Sequence, residues 1–257
     1  MADAKGVFDP SAFDAGAYGR SAARDYDALH AGLDPSAAVR TLTELAAGRP
    51  VVEFGIGTGR IALPLAEGGL EVHGIDGSAE MAEELRRKPG GGEIPVVVGN
   101  FAEVLAGTGF GLVLLALNTI YALPTQDAQV ACFRNAARHL QTGGCFVIEA
   151  WIPDVGAFRD GTAVRPIQIE DRHIELEVAR IRLATQTMLT TKFHLTEEGA
   201  RLIPANHRYA WPAELDLMAR LAGLRLVHRW ENWHRTAFQD SSKAHVSVWE
   251  KVSGGTW

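Results

Sequence analysis

The chain has two cysteines in 257 residues, Cys132 and Cys145, and neither lies in a CxxC pair or at a Cys/His metal spacing. That scarcity argues against a disulfide framework and a zinc site, and both thiols are expected to be reduced, one in a buried helix and one in a strand. Long hydrophobic runs are missing too. No stretch of about 18 apolar residues is available to span a bilayer, and the opening MADAKGVFDPSAF lacks the apolar centre of a secretory signal. A soluble, cytoplasmic protein is expected. There is no block of lysine and arginine, and the formal charge of −6 argues against nucleic acid as a partner. Repeats and low-complexity tracts are absent as well. Hydrophobic residues make up 47% of the chain, which is enough to bury a full core in one large domain or in a domain with a lid.

Residues 1–47 read as a helical N-terminal arm, with one helix ending before Pro35 and a second over 36–47. Residues 48–151 then alternate. Strands are predicted at 50–54, 71–75, 94–99, 111–117 and 144–151, and helices at 59–67, 78–88 and 126–140. Short apolar runs separated by periodic helices imply parallel βαβ units and a doubly wound α/β sheet. The period changes after Trp151. Segments such as IELEVARI and LTTKFHL alternate apolar and polar residues between turn-like TQT and TEEGA, so 152–211 reads as an inserted antiparallel sheet. In 212–257 a helix opening on Pro212 and stopping at Gly223 leads to the strands RLVHRW and AHVSVWEK, which return to the first sheet.

The stretch VVEFGIGTGR carries the first functional signal. A buried strand runs directly into Gly55, Gly57 and Gly59, which permit tight turning and close approach of a ligand to the backbone. A dinucleotide fingerprint needs glycine or alanine at position 60, where this chain has Arg60. In VHGIDGS, Asp76 ends the second strand, where its carboxylate can accept from both hydroxyls of a ribose, and Ser78 is placed to cap the next helix. Asn100 and Phe101, in GNFAEV after the third strand, suit hydrogen bonding to and stacking on an adenine. Asn118 and Tyr121 follow the fourth strand, at the carboxyl edge where α/β sheets bind ligands.

Together EFGIGTGR, GIDGSAEM, GNFAEV, FGLVLLALNTIYAL and LQTGGCFVIEAW resemble the class I S-adenosylmethionine-dependent methyltransferases. The resemblance implies a Rossmann-like sheet of seven strands with an insert between core strands five and six, and S-adenosylmethionine as cofactor. It places Glu53, Gly55, Gly57, Gly59, Asp76, Gly77, Ser78, Met81, Asn100, Phe101, Leu117 and Asn118 at the cofactor. The inserted strands, with YDALH, WIP and the His207–Arg208 pair, are similar to bacterial small-molecule methyltransferases, including aminodeoxysugar N-methyltransferases of secondary metabolism. That similarity implies a small-molecule acceptor methylated at nitrogen or oxygen and lined by Tyr121, Trp151 and Arg208, and it allows a homodimer through the insert.

Tyr26 and His30 lie four apart on one helical face, and in related enzymes such an arm closes over the cofactor. Tyr26 would orient an acceptor. His30 or His207 is the candidate base for a hydroxyl, with an acidic limb at about pH 6–7. His207 and Arg208 alternate along a strand, so only one of them faces the cleft. His173 and His194 show no metal spacing and read as structural or interfacial. An NAD-dependent oxidoreductase and a non-catalytic nucleoside-binding protein are the alternatives.

Overall fold

The computed structural model describes residues 14–253, so the first thirteen residues of the expected arm lie outside the described residues. Within it a seven-stranded sheet has the order β10-β11-β5-β4-β1-β2-β3. The strands are β1 Val51–Phe54, β2 Val72–Asp76, β3 Val96–Val98, β4 Phe110–Leu115, β5 Leu140–Trp151, β10 Leu224–Trp230 and β11 Ala244–Lys251. Pairings among β1 to β5 are parallel, and β11 lies antiparallel to both β5 and β10. Strand order reverses at β1, whose neighbours are β2 on one side and β4 on the other. A ligand crevice opens at the carboxyl end of such a switch point.

Alternate residues supply opposite faces of the sheet, as the pleat requires. Val52, Phe54, Val113, Phe146, Ile148 and Trp249 pack with α6 Gln126–His139 and α7 Pro212–Leu221. Val51, Leu112, Leu114, Val147 and Val248 pack on the other side with α3 Ser36–Ala46 and α4 Ala62–Glu67. Two helices start on side-chain caps. Ser78 Oγ accepts from Met81 N at 3.2 Å to open α5 Ala79–Arg86, and Thr125 Oγ1 accepts from Ala128 N at 3.0 Å to open α6.

The second sheet holds β6 Thr162–Glu170, β7 His173–Arg182, β8 Thr187–Thr196 and β9 Gly199–Arg208, in that order and antiparallel throughout. It is inserted between core strands five and six, as expected. Cys132 is buried, Cys145 half-buried, and both are free. No helix among the described residues is long and apolar enough to cross a membrane.

Three expectations are corrected. The arm's first helix is two short pieces, α1 Ala17–Ala22 and α2 Tyr26–Leu29, separated by a turn. The predicted helix over 59–67 starts only at Ala62, because Gly59 takes φ +86° and prolongs the glycine loop. Strand β5 begins at Leu140 rather than 144, since Leu140 already pairs with Phe110 and the following QTGG, with Gly143 at φ +74°, forms an irregularity before pairing resumes at Cys145.

Candidate functional site

The glycine loop closes on Asp76. Gly57 N donates to Asp76 Oδ2 at 2.7 Å and Ser78 N to Asp76 Oδ1 at 2.8 Å, so one carboxylate pins the loop after β1 to the loop after β2. Burial raises the Asp76 carboxyl above its ordinary value, and these two N–H bonds oppose that rise. The three glycines have different reasons to be glycine. A Cβ on Gly55 would meet Thr119 Cγ2 at 2.7 Å, and one on Gly59 would run into Leu85. At Gly57, with φ +57°, the nearest protein atom lies 4.0 Å away, so a side chain there would project from the cradle instead of striking protein.

Glu53, on β1, is the least expected group. The residue is 5% exposed, and Oε2 is buried with no hydrogen-bond partner. Burial pushes it up to about 8; Arg60 and the N–H of Ala62 pull it down, while Asp76 pushes it up. A buried carboxyl oxygen without a partner is a costly arrangement that a cationic group arriving at the loop would relieve.

The loop after β4 holds two consecutive non-glycine residues in the left-handed region, Leu117 at φ +47° and Asn118 at φ +63°. Each such residue costs on the order of 1–3 kcal/mol unless its surroundings fix it. Glu149 and Trp151 supply that fixing. Leu117 N donates to Glu149 Oε2 at 3.0 Å, Asn118 N to the Glu149 carbonyl at 3.0 Å, and Trp151 N to Asn118 Oδ1 at 2.6 Å. Trp233 Nε1 holds the other carboxylate oxygen of Glu149 at 2.7 Å. Sequence reasoning missed Glu149 and Trp233, which belong to no glycine or acidic motif.

The arm bridges both ligand loops. A Cβ on Gly77 would run into the carbonyl of Ala15, and one on Gly19 into Ser78, so α1 rests against the start of α5. Tyr26 packs on Ala23 and Met81 and stacks on His30, with ring centroids 4.1 Å apart. His30 Nδ1 is 2.9 Å from the carbonyl of Tyr26. Asp27 accepts from Thr58 Oγ1 at 2.6 Å and pairs with Lys88 at 2.6 Å, while Lys88 also donates to the Thr58 carbonyl at 2.8 Å. Burial pushes the Asp27 carboxyl up, but Lys88 and Thr58 more than offset this and leave it below its ordinary value. YDALH therefore contributes an aspartate that sequence reasoning passed over between Tyr26 and His30.

On the insert side, Trp151 meets His207 edge to face at 6.3 Å between centroids, and His207 Nε2 is 3.4 Å from Thr190 Oγ1. Burial lowers His207 to about 4. Arg208 faces the other way, as strand alternation requires.

Several expected roles need correction. Arg208 lies 2.7 Å from Glu214 and donates to Gln129, so its guanidinium is committed to α6 and α7 and is no acceptor clamp. Tyr121 is fully buried; its hydroxyl points at the carbonyls of Trp151 and Ala210, at 2.9 and 3.0 Å, and burial pushes its pKa above the ordinary value, which keeps the phenol protonated. It pins the loop and walls no pocket. The Phe101 ring is 7% exposed and packs on Phe54 in the core, so it is not free to stack on a base. Asn100 Oδ1 caps Ala102 N at 3.0 Å and its amide donates to Glu103 at 2.9 Å. The Ser78 hydroxyl is spent on its helix cap and on Glu80.

Comparison with known proteins accords with this geometry. Residues 51–144 match a methyltransferase domain family. The CcbJ methyltransferase of Streptomyces caelestis is 40% identical, with a TM-score of 0.80 over 85% of this chain and 95% of that one. A cypemycin N-terminal methyltransferase from a Streptomyces species is 28% identical over an alignment of 235 residues that covers 85% of this chain and 89% of that protein. CalS10, an amino pentose methyltransferase of Micromonospora echinaspora with S-adenosylmethionine bound, shares the fold at 19% identity and TM-score 0.66, over 88% of this chain and 96% of that one. With a 40% identical relative along most of its length and a glycine loop that Asp76 pins to the loop after β2, the chain belongs to the class I S-adenosylmethionine-dependent methyltransferases.

Proposed function

We propose that the protein transfers the methyl group of S-adenosylmethionine to the nitrogen of a small amine. When bound, the cofactor supplies a sulfonium methyl that passes to the acceptor by in-line displacement. On this reading Asp76 holds the ribose hydroxyls, Glu53 the ammonium of the methionine portion, and the Phe101 main-chain amide the adenine edge. Trp151 and His207 face the acceptor. The rest of the rate gain is positioning and exclusion of water, which in favourable systems supplies about 7–11 kcal/mol.

The observation that carries nitrogen over oxygen is His207. A hydroxyl acceptor needs a base poised within reach of neutral pH, and His207 has been lowered to about 4 by loss of water around its ring. The limb first expected at about pH 6–7 is therefore not assigned to this residue. An amine needs only to arrive neutral, and its alkylammonium form, with a reference value of roughly 10, loses its proton more readily in a water-poor cleft. The cypemycin relative, by its name an N-terminal methyltransferase, agrees with this choice.

A labelled-methyl screen of amines, phenols and carboxylates tests the proposal. Amines are expected to be labelled, His207→Gln should change turnover by only a few-fold, and kcat/KM should rise with pH toward the acceptor's own titration. Selective labelling of phenols, with a loss of about 10²–10⁴-fold in His207→Gln, would assign base catalysis instead.

Glu53 gives a second expected result. At pH 7 a carboxyl held at about 8 is mostly protonated, and an ammonium beside it favours the ionised form. Binding of S-adenosylhomocysteine should then release close to one proton per site. Its calorimetric enthalpy should differ between phosphate and Tris by nearly the difference in their ionisation enthalpies, and Glu53→Gln should remove that difference. An enthalpy independent of buffer would place the ammonium elsewhere.

The outer face of the insert supports a homodimer. Val164, Ile169, Ile174 and Leu202 share that face by strand register and are 64, 71, 36 and 56% exposed. An apolar patch of this kind on a regular sheet fits a second copy of the chain, and light scattering reads the outcome directly.

A further inference from the structure

The inner face of the insert, the one that carries His207, brings together a group that the mechanism leaves unused. His173 and Glu175 lie two apart on β7 and so project from the same side. His194 stands directly opposite Glu175 on β8. One nitrogen of each imidazole and one oxygen of the carboxylate all fall within 4.8 Å of one another. The two rings are nearly parallel, at 14° with centroids 6.0 Å apart, and His194 Nδ1 is 3.7 Å from Glu175 Oε2. His194 Nε2 is buried and has no hydrogen-bond partner. A strand tripeptide HxE with the third ligand on the neighbouring strand has no local sequence spacing, which is why the histidines read as structural or interfacial.

We propose that His173, Glu175 and His194 form a three-ligand site for a divalent transition ion of the zinc, cobalt or nickel class. Imidazole nitrogen with a carboxylate oxygen is the donor set such ions prefer, whereas magnesium and calcium take oxygen donors. Ligands held about 2.0–2.2 Å from a common ion lie roughly 3–3.5 Å from one another, so small side-chain rotations would bring this group into range. One neighbour opposes it: Lys192 Nζ lies 3.5 Å from Glu175 Oε1, on a half-exposed, flexible side chain that would have to swing outward. The ion would tie β7 to β8 at the end of the insert farthest from the core. It would also put positive charge beside Arg201, which stands opposite His194 on β9 and pairs with Asp25 of the arm at 2.9 Å.

The test uses untagged full chain stripped with a chelator and titrated with Zn²⁺, and separately with Co²⁺. One equivalent of Zn²⁺ per chain should bind saturably and raise the unfolding temperature, and Co²⁺ should give visible d–d bands. His173→Gln and His194→Gln should each weaken binding by at least about 10–100-fold, the loss that even an outer-shell partner carries. Affinity for S-adenosylhomocysteine should stay unchanged, which separates this result from the cofactor assignment, and His228→Gln on exposed β10 should behave as wild type. Absence of saturable binding would overturn the proposal. So would equal binding by a folded His173→Gln/His194→Gln double variant.

Discussion

Asp76→Ala should weaken the affinity for S-adenosylhomocysteine by roughly 10- to 150-fold, the range that follows from losing a charged hydrogen-bond partner worth about 1.5–3 kcal/mol. The upper part of that range is expected, because the carboxylate is proposed to do two things at once. Besides meeting the ribose, it accepts from Gly57 N and Ser78 N, so its removal also loosens the loops on either side of the ligand. Asp76→Asn keeps the shape but replaces one acceptor by a donor facing an N–H, and should fall between. Gly57→Val should do at least as much harm, through a β-branched residue at positive φ and a side chain that projects from the cradle. Calorimetry on variants shown to be folded decides the matter. Unchanged affinity in both Asp76→Ala and Gly57→Val would mean that the nucleoside lies elsewhere.

The second large effect belongs to stability. Arg208→Met should cost about 3–5 kcal/mol, the usual price of removing one partner from a buried ion pair, and lower the unfolding temperature by roughly 6–20 °C. The Arg208 and Glu214 side chains are 7% and 15% exposed, so the stranded carboxylate would not be fully rescued by water. The loss would also spread. Gln129 donates to the carbonyls of Ile120 and Arg208 while accepting from the guanidinium, and Gln126 and Gln186 both donate to Glu214. These bonds join the root of the insert to α6, α7 and the loop after β4. Cofactor affinity should be untouched. A variant that melts like wild type but shows a raised acceptor KM would restore the clamp role that the geometry takes away.

What the sequence disclosed follows from what is local in it. Gly55 to Gly59, Asp76 and the Ser78 cap are consequences of a few consecutive residues, and each sits where its motif put it. The antiparallel insert was visible because alternation is also local. The direction of an aromatic ring is not local. Phe101 and Tyr121 follow strand ends where ligands bind, yet both turn inward, Phe101 because Phe54 is there to receive it and Tyr121 because two carbonyls from distant segments converge on its hydroxyl. Arg208 was legible as half of an alternating pair, but Glu214 and Gln129, which claim it, lie on other elements. Glu149 and Trp233 escaped notice for the same reason: their importance lies in supporting Leu117 and Asn118, whose left-handed backbone leaves no mark in composition.

The arm's attachments also bear on time. Its contacts reach the acidic loop at Gly77, Thr58 and Lys88 through Asp27, and the insert at Arg201, so a nucleoside placed between those loops as proposed would lie under a strap with three moorings. Two are ionic and at least partly exposed, Asp27 with Lys88 and Asp25 with Arg201, and each is worth little alone and less in salt. If, as we propose, the strap lifts to exchange spent cofactor for fresh, departure of the product is expected to speed up with salt. A chemical step shielded beneath it would have no such dependence, so turnover measured across ionic strength tells which of the two sets the pace.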